Sequence, residues 1–180
     1  MIATAATTPT TPTTPVQSPN APLSATLSMP SDTEIVITRE FNAPRDLVWE
    51  AFSKPEHLKR WWGTRDTTML VCDVDLRVGG AWRFVIGAPG SDEQHAFSGE
   101  YLEIQAPEKV VFTERYEPIP GSDHTITATY TERDGKTTLR SHITYASREH
   151  RDGHLQSGME PGLQETYRRL DELLLELSKS

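Results

Sequence analysis

The segment HTITATYTERDGKTTLRSHITY, residues 124–145, decides the fold. Asp134-Gly135 is a typical two-residue hairpin turn, because both central residues of such a turn take positive φ. The turn places Arg133 opposite Lys136 and so sets the register of two strands. The pairs on one face are then largely apolar: Tyr130/Leu139, Ala128/Ser141, Ile126/Ile143 and His124/Tyr145. The other face carries threonines, Arg140 and His142, so we predict a sheet covered on one side and solvent-facing on the other.

Turn residues divide the preceding sequence into further short segments. Glu34–Phe41 alternates in the manner of a strand. Two short helices are expected after it, the first opening near Pro44 and the second ending at Gly63. Connections this short favour antiparallel pairing, since parallel strands need longer crossovers. Four more strands are expected before the hairpin, near residues 67–76, 80–87, 95–105 and 109–117.

The C-terminal segment has the spacing of one long amphipathic helix, with Pro161 near its start. This helix is expected to cover the apolar face of the sheet. The fold class is therefore α+β: a curved antiparallel sheet of about seven strands wrapped on a long C-terminal helix. The apolar stripe of the C-terminal helix consists of Met159, Leu163, Tyr167, Leu170, Leu174 and Leu177.

Residues 1–31 differ in composition from the rest of the chain. They contain no charged side chain, whereas residues 32–180 carry all 18 basic and all 26 acidic residues. Six prolines and eight threonines in the first 30 positions predict a disordered tail over residues 1–31 and one domain over 32–180. Two alternatives stay open for the tail: it is a proline-motif ligand for another protein, or Met29 is the native start.

The charge balance and the single cysteine exclude several functions. A net charge of −8 argues against binding to duplex nucleic acid or to anionic membranes. One cysteine, Cys72, excludes an intrachain disulfide and a multi-cysteine zinc site. No apolar run approaches the ~18 residues of a membrane span, and no secretory signal is evident. We expect a cytoplasmic protein without a cofactor.

Two polar residues lie at strand positions whose neighbours on the same face are apolar. Glu114 lies between Phe112 and Tyr116, and His124 lies on the covered face of the hairpin. Their strands are expected to be neighbours, so the two side chains should lie within one or two pairing steps. Such a pair could orient the polar group of a ligand or act as acid and base, and the alternative is a structural buried pair.

His150 and His154 have the spacing of two metal ligands on one helix face. Gly153 weakens a helix there, however, and no third ligand is evident. These observations favour two surface histidines.

Five motifs resemble the Aha1 C-terminal-domain-like family of the START/Bet v 1-like (SRPBCC) superfamily, over about residues 34–177. They are FNAPRDLVW at 41–49, WWG at 61–63, DLRVGG at 75–80, GEY at 99–101 and GMEPG at 158–162. The resemblance implies the helix-grip fold, with a deep and mainly apolar cavity between the sheet and the long helix. It also implies a hydrophobic or aromatic small molecule as the partner, bound without obligatory catalysis.

The resemblance leaves other functions open. Some relatives are polyketide cyclases or aromatases, and the family name implies an Hsp90 co-chaperone-like stress-response role; a chaperone-like protein partner or a homodimer is the corresponding alternative. No catalytic residue and no metal ligand is assigned. The expected ligand-binding residues are Trp61, Trp82, Phe84, Tyr101, Phe112, Glu114, His124, Ile126, Tyr145, Met159, Leu163 and Tyr167.

Overall fold

The structure, a computed structural model, describes residues 24–179. Within them, eight strands form one antiparallel sheet in the order β1-β2-β8-β7-β6-β5-β4-β3. The strands are β1 (Thr26–Ser28), β2 (Glu34–Phe41), β3 (Thr68–Val74), β4 (Ala81–Gly87), β5 (Gln94–Gln105), β6 (Lys109–Tyr116), β7 (His124–Arg133) and β8 (Lys136–Tyr145). The helices are α1 (Arg45–Ser53), α2 (Pro55–Trp61), α3 (Arg148–Gln156) and α4 (Met159–Leu177).

The hairpin formed by β7 and β8 has the predicted register. Asp134 and Gly135 take φ values of 53° and 73°, as a two-residue turn of this kind requires. Ile126 pairs with Ile143, and both are buried. The threonines that alternate with the buried residues of β7 are half-buried or exposed. His142, expected to be solvated, is half-buried because its Nε2 lies 2.7 Å from Glu34 Oε1.

Helix α4 covers the apolar face of the sheet, as predicted. The ring of Tyr167 packs edge-on against Phe41 of β2, with centroids 5.6 Å apart. Leu170 is fully buried one turn further along. Burial of one such side chain stabilises the fold by about 1.5–3 kcal/mol. Pro161 lies in the first turn of α4 and does not delay the helix beyond Met159.

The domain starts earlier than the boundary expected at residue 32. Thr26–Ser28 forms the edge strand β1, which pairs with Val36–Thr38 of β2. The backbone of Ala25 makes two hydrogen bonds with the Gln164 side chain of α4, at 3.0 and 2.8 Å. These contacts use backbone atoms, so the side-chain composition of this uncharged segment does not indicate them. Residues 1–23 of the expected tail lie outside the described residues.

Helix α3 was not expected from the sequence. It begins because Ser147 caps it: the Ser147 hydroxyl accepts a hydrogen bond from the backbone N–H of His150 at 3.2 Å. Gly153 costs about 1 kcal/mol relative to alanine inside a helix, but the helix continues through it to Gln156. Since α3 follows directly on β8, it lies beside the end of the sheet at which His124 is located.

Candidate functional site

Two cavities share Glu114 as a lining residue. The first, the aromatic cavity, has a volume of about 120 Å³ and lies between α1, α2 and the sheet; its walls include Trp61, Trp82, Phe84, Tyr101, Phe112 and Tyr130. The second, the histidine cavity, has a volume of about 480 Å³ and lies between α3 and strands β5–β7; its walls include Phe97, Tyr116 and four histidines, His95, His124, His150 and His154. Glu114 lines both cavities.

Glu114 and His124 are direct partners across the β6–β7 pair. His124 Nε2 lies 3.4 Å from Glu114 Oε1, which is an ion-pair distance. The two groups are not aligned for a hydrogen bond, and His124 Nε2 is buried without a hydrogen-bond partner. The other ring nitrogen, Nδ1, lies 3.1 Å from the Ser122 carbonyl, which can only accept. Nδ1 therefore carries a proton, and Nε2 is the atom left for a ligand.

Opposing effects act on the proton affinity of His124. Burial lowers its pKa, but the contact with the Glu114 carboxylate and the Ser122 carbonyl outweighs burial and raises the pKa above the ordinary 6.5. His124 consequently keeps its second ring proton up to a higher pH than a free histidine does.

His154 has the opposite behaviour. Burial, and then the positive charge of His124, lower its pKa to about 4, so it is neutral at pH 7. Its Nδ1 is 2.7 Å from the hydroxyl of Tyr145. Burial raises the pKa of Tyr145, and this hydroxyl keeps its proton. His154 and Tyr145 are thus hydrogen-bonded to each other and add no charge to the cavity.

The histidine rings pack as aromatic walls. The centroids of His150 and His154 lie 6.0 and 5.3 Å from that of His124. Within residues 24–179, no group of three or more His, Cys, Asp or Glu side chains is arranged to hold a metal ion. The i,i+4 spacing of His150 and His154 therefore serves ring packing at the cavity wall.

Two of the tryptophans that line the aromatic cavity have their indole N–H groups bonded to backbone carbonyls. Trp61 Nε1 donates to the Ala51 carbonyl at 2.9 Å, and Trp82 Nε1 donates to the Thr113 carbonyl at 3.2 Å. The second bond needs glycine at position 99, because a Cβ there would lie 1.7 Å from the Thr113 oxygen. Local backbone geometry thus fixes the Trp82 ring.

The predicted binding residues divide into two sets. Seven line the cavities: Trp61, Trp82, Phe84, Tyr101, Phe112 and Glu114 line the aromatic cavity, and Glu114 and His124 line the histidine cavity. Ile126, Tyr145, Met159, Leu163 and Tyr167 line neither. Ile126 and Tyr167 are buried core residues, and the Tyr167 ring of α4 packs directly on Phe41 of β2.

Sequence reasoning missed most of the histidine cavity, and its prediction that His150 and His154 are two surface histidines is wrong. Four of the six histidines of the chain line this one space. The available signals were the Ser147 cap and the four-residue spacing of His150 and His154. The lining residues outside the expected binding set are His95, Phe97, Tyr116, Ile119, Ser122, Glu149, His150, Gly153, His154 and Ser157.

A curved antiparallel sheet packed on a C-terminal helix, with cavities between sheet and helices, defines a helix-grip domain. The chain belongs to the family of Activator of Hsp90 ATPase homolog 1-like proteins, whose model matches residues 42–175. No helix within residues 24–179 has the length and apolar composition needed to cross a membrane.

Solved structures of several bacterial proteins share this architecture. A protein from Rhodobacter sphaeroides is 26% identical, with a TM-score of 0.79 over 84% of this chain and 99% of that chain. Protein Ms6760 from Mycobacterium smegmatis is 29% identical, with a TM-score of 0.76 over 85% and 97% of the two chains. An AHSA1-like protein from Aeromonas hydrophila, 20% identical, has the same fold with a TM-score of 0.62 over 77% and 93%. No curated protein matches the chain.

Proposed function

We propose that the protein binds an amphipathic small molecule. The polar group of this ligand lies beside Glu114 and His124, and its apolar part packs on the aromatic side chains that line the histidine cavity. One observation carries the proposal: His124 Nε2, at the wall of the histidine cavity, is buried without a hydrogen bond and lies 3.4 Å from the Glu114 carboxylate, which lines both cavities.

The energetic argument concerns His124 Nε2, which is buried without a hydrogen bond. A buried polar atom without a hydrogen bond costs about 1–3 kcal/mol, and more when it is charged. His124 is only 8% exposed and its Nε2 has no such bond. A ligand that supplies the missing hydrogen bond to His124 Nε2 recovers this free energy on binding. The structure therefore favours an occupant with a polar group at this position.

The size and mouth of the histidine cavity fit a small molecule. Its volume of about 480 Å³ lies within the range of roughly 300–1,000 Å³ typical of ligand sites. Ile119, which is 57% exposed, and Gly153 of α3 are among its lining residues. An apolar residue at the rim favours entry of a ligand with apolar surface.

Two matched glycine variants test the proposal. Gly153 and Gly162 both lie in helices, neither has positive φ, and a Cβ at either position meets no atom within 4 Å. Only Gly153 lines a cavity. The neutral dye Nile red should bind the native protein and Gly162→Trp with increased fluorescence, and Gly153→Trp should weaken its binding at least roughly tenfold. Equal binding by both variants, or none by the native protein, would contradict the proposal.

Other expectations from the sequence stay predictions. They are a chaperone-type protein partner, a homodimer, a cyclase-like reaction, the lack of a cofactor and a cytoplasmic location. The ligand-binding proposal requires none of them.

A further inference from the structure

The most specific feature of the histidine cavity is the pairing of an unbonded acceptor with an unbonded donor. We infer that the protein selects a neutral aromatic alcohol of the phenol class, with its hydroxyl bridging Glu114 and His124, over the corresponding carboxylate. This inference rests on the proposed binding function and names the chemical class of its ligand.

A hydroxyl is suited to both groups at once. It accepts a hydrogen bond from His124 Nε2–H and donates its own proton to the Glu114 carboxylate. The two protein atoms are 3.4 Å apart, so an oxygen at the apex of a triangle can lie about 2.7–2.9 Å from each, the range of charge-assisted hydrogen bonds. The bridge completes the bonding of both groups without separating them.

Charged head groups fit this position less well. A carboxylate has no proton to donate and is repelled by Glu114, with a second carboxylate, Glu149, among the cavity residues. His154 does not compensate this charge, because burial and the neighbouring His124 keep it neutral at pH 7. An ammonium group has the opposite deficiency: it can donate to Glu114, but it has no lone pair and so cannot accept a hydrogen bond from His124 Nε2. A neutral group that both donates and accepts avoids both penalties.

The walls of the histidine cavity favour a ligand in which the hydroxyl is attached to a flat ring. Phe97 and Tyr116 lie side by side with centroids 5.1 Å apart, and the ring of His95 stacks on Tyr116 at 6.0 Å. His124 and His150 add two further rings. Aromatic rings prefer offset-stacked or edge-to-face neighbours at such distances. A planar aromatic ligand thus finds ring contacts on several sides.

Two ligands of nearly equal shape separate the alternatives: 2-naphthol and 2-naphthoate. At pH 7 the naphthol is neutral, since phenolic hydroxyls have pKa values of about 10, and the naphthoate is an anion. Calorimetric titration of the native protein should show naphthol binding about tenfold or more tightly than naphthoate. In Glu114→Gln this preference should fall by about tenfold, because the repulsive charge and the strong acceptor are both lost.

The outer face of the sheet provides the control. His142 and Glu34 form a second His–Glu pair, at 2.7 Å, on that face. Glu34→Gln should therefore leave the naphthol preference unchanged.

Three results would overturn the inference: naphthoate binding as tightly as naphthol to the native protein, a preference unaltered in Glu114→Gln, or a preference lost equally in Glu34→Gln. If Glu114→Gln does not fold, the ratio of the naphthol and naphthoate affinities of the native protein decides whether the inference stands. If neither naphthyl ligand binds the native protein, but Nile red binds it and Gly153→Trp weakens that binding, the phenol class is rejected and the binding function is retained. Failure of all three probes would reject both.

Discussion

Glu114 and His124 face each other across strands β6 and β7, with Oε1 and Nε2 3.4 Å apart, and Glu114 lines both cavities. The sheet fixes this relationship, since both side chains project from paired positions of adjacent strands. A site built on strands holds its groups more rigidly than a site built on loops. The pair is therefore ready to receive a ligand group without rearrangement of the backbone.

The first prediction concerns the pKa of His124. NMR titration should place it above 6.5, because the charge of Glu114 outweighs burial. In Glu114→Gln the pKa should fall by about 1–3 units, since burial is then opposed only by weaker contacts. A raised pKa adds stability that is complete below pH 6.5 and is lost as the pH rises through the folded-state pKa. An unchanged pKa in Glu114→Gln, with Glu34→Gln as reference, would show that the two groups do not interact.

The second prediction concerns His154 and acid. Its pKa is lowered to about 4 in the folded protein, so the unfolded chain binds a proton at His154 more readily. The stability it contributes is present above pH 6.5 and is lost as the pH falls towards 4. His154→Gln should reduce the loss of unfolding free energy between pH 7 and pH 4.5 by roughly 1–3 kcal/mol. Urea unfolding at both pH values measures this, and an identical pH dependence in the variant would contradict it.

The third prediction concerns the link between Ala25 and α4. Gln164→Ala removes both hydrogen bonds to the Ala25 backbone and should lower the free energy of unfolding by about 1–2 kcal/mol. Gln156→Ala, at an exposed position at the end of α3, should change it by no more than about 0.5 kcal/mol. Urea unfolding of the two variants decides, and equal small effects would mean that this contact does not stabilise the domain.

The parts of the fold that the sequence predicts correctly are those set by local signals. Asp134-Gly135 fixes the β7–β8 register because the turn and the alternation agree. The same alternation, continued into β6, brings Glu114 opposite His124. These relations need only nearest-neighbour strand pairing, which short connections enforce.

The parts that the sequence does not reveal depend on tertiary packing. Whether the space under α4 is filled depends on how Tyr167 meets Phe41, residues far apart in the chain. The position of His154 at the cavity wall depends on where α3 lies after its Ser147 cap. Periodicity reports which face of an element is apolar, but it does not report the volume left between two faces.

The central claim, that the histidine cavity holds a small molecule, is tested most directly by native mass spectrometry of the protein purified from its own host. We expect the native protein and Gly162→Trp to carry the same bound small molecule, and Gly153→Trp to lack it while keeping the native fold by circular dichroism. If Gly153→Trp retains that molecule at the native level, or if the native protein carries none and binds no Nile red, the claim is wrong.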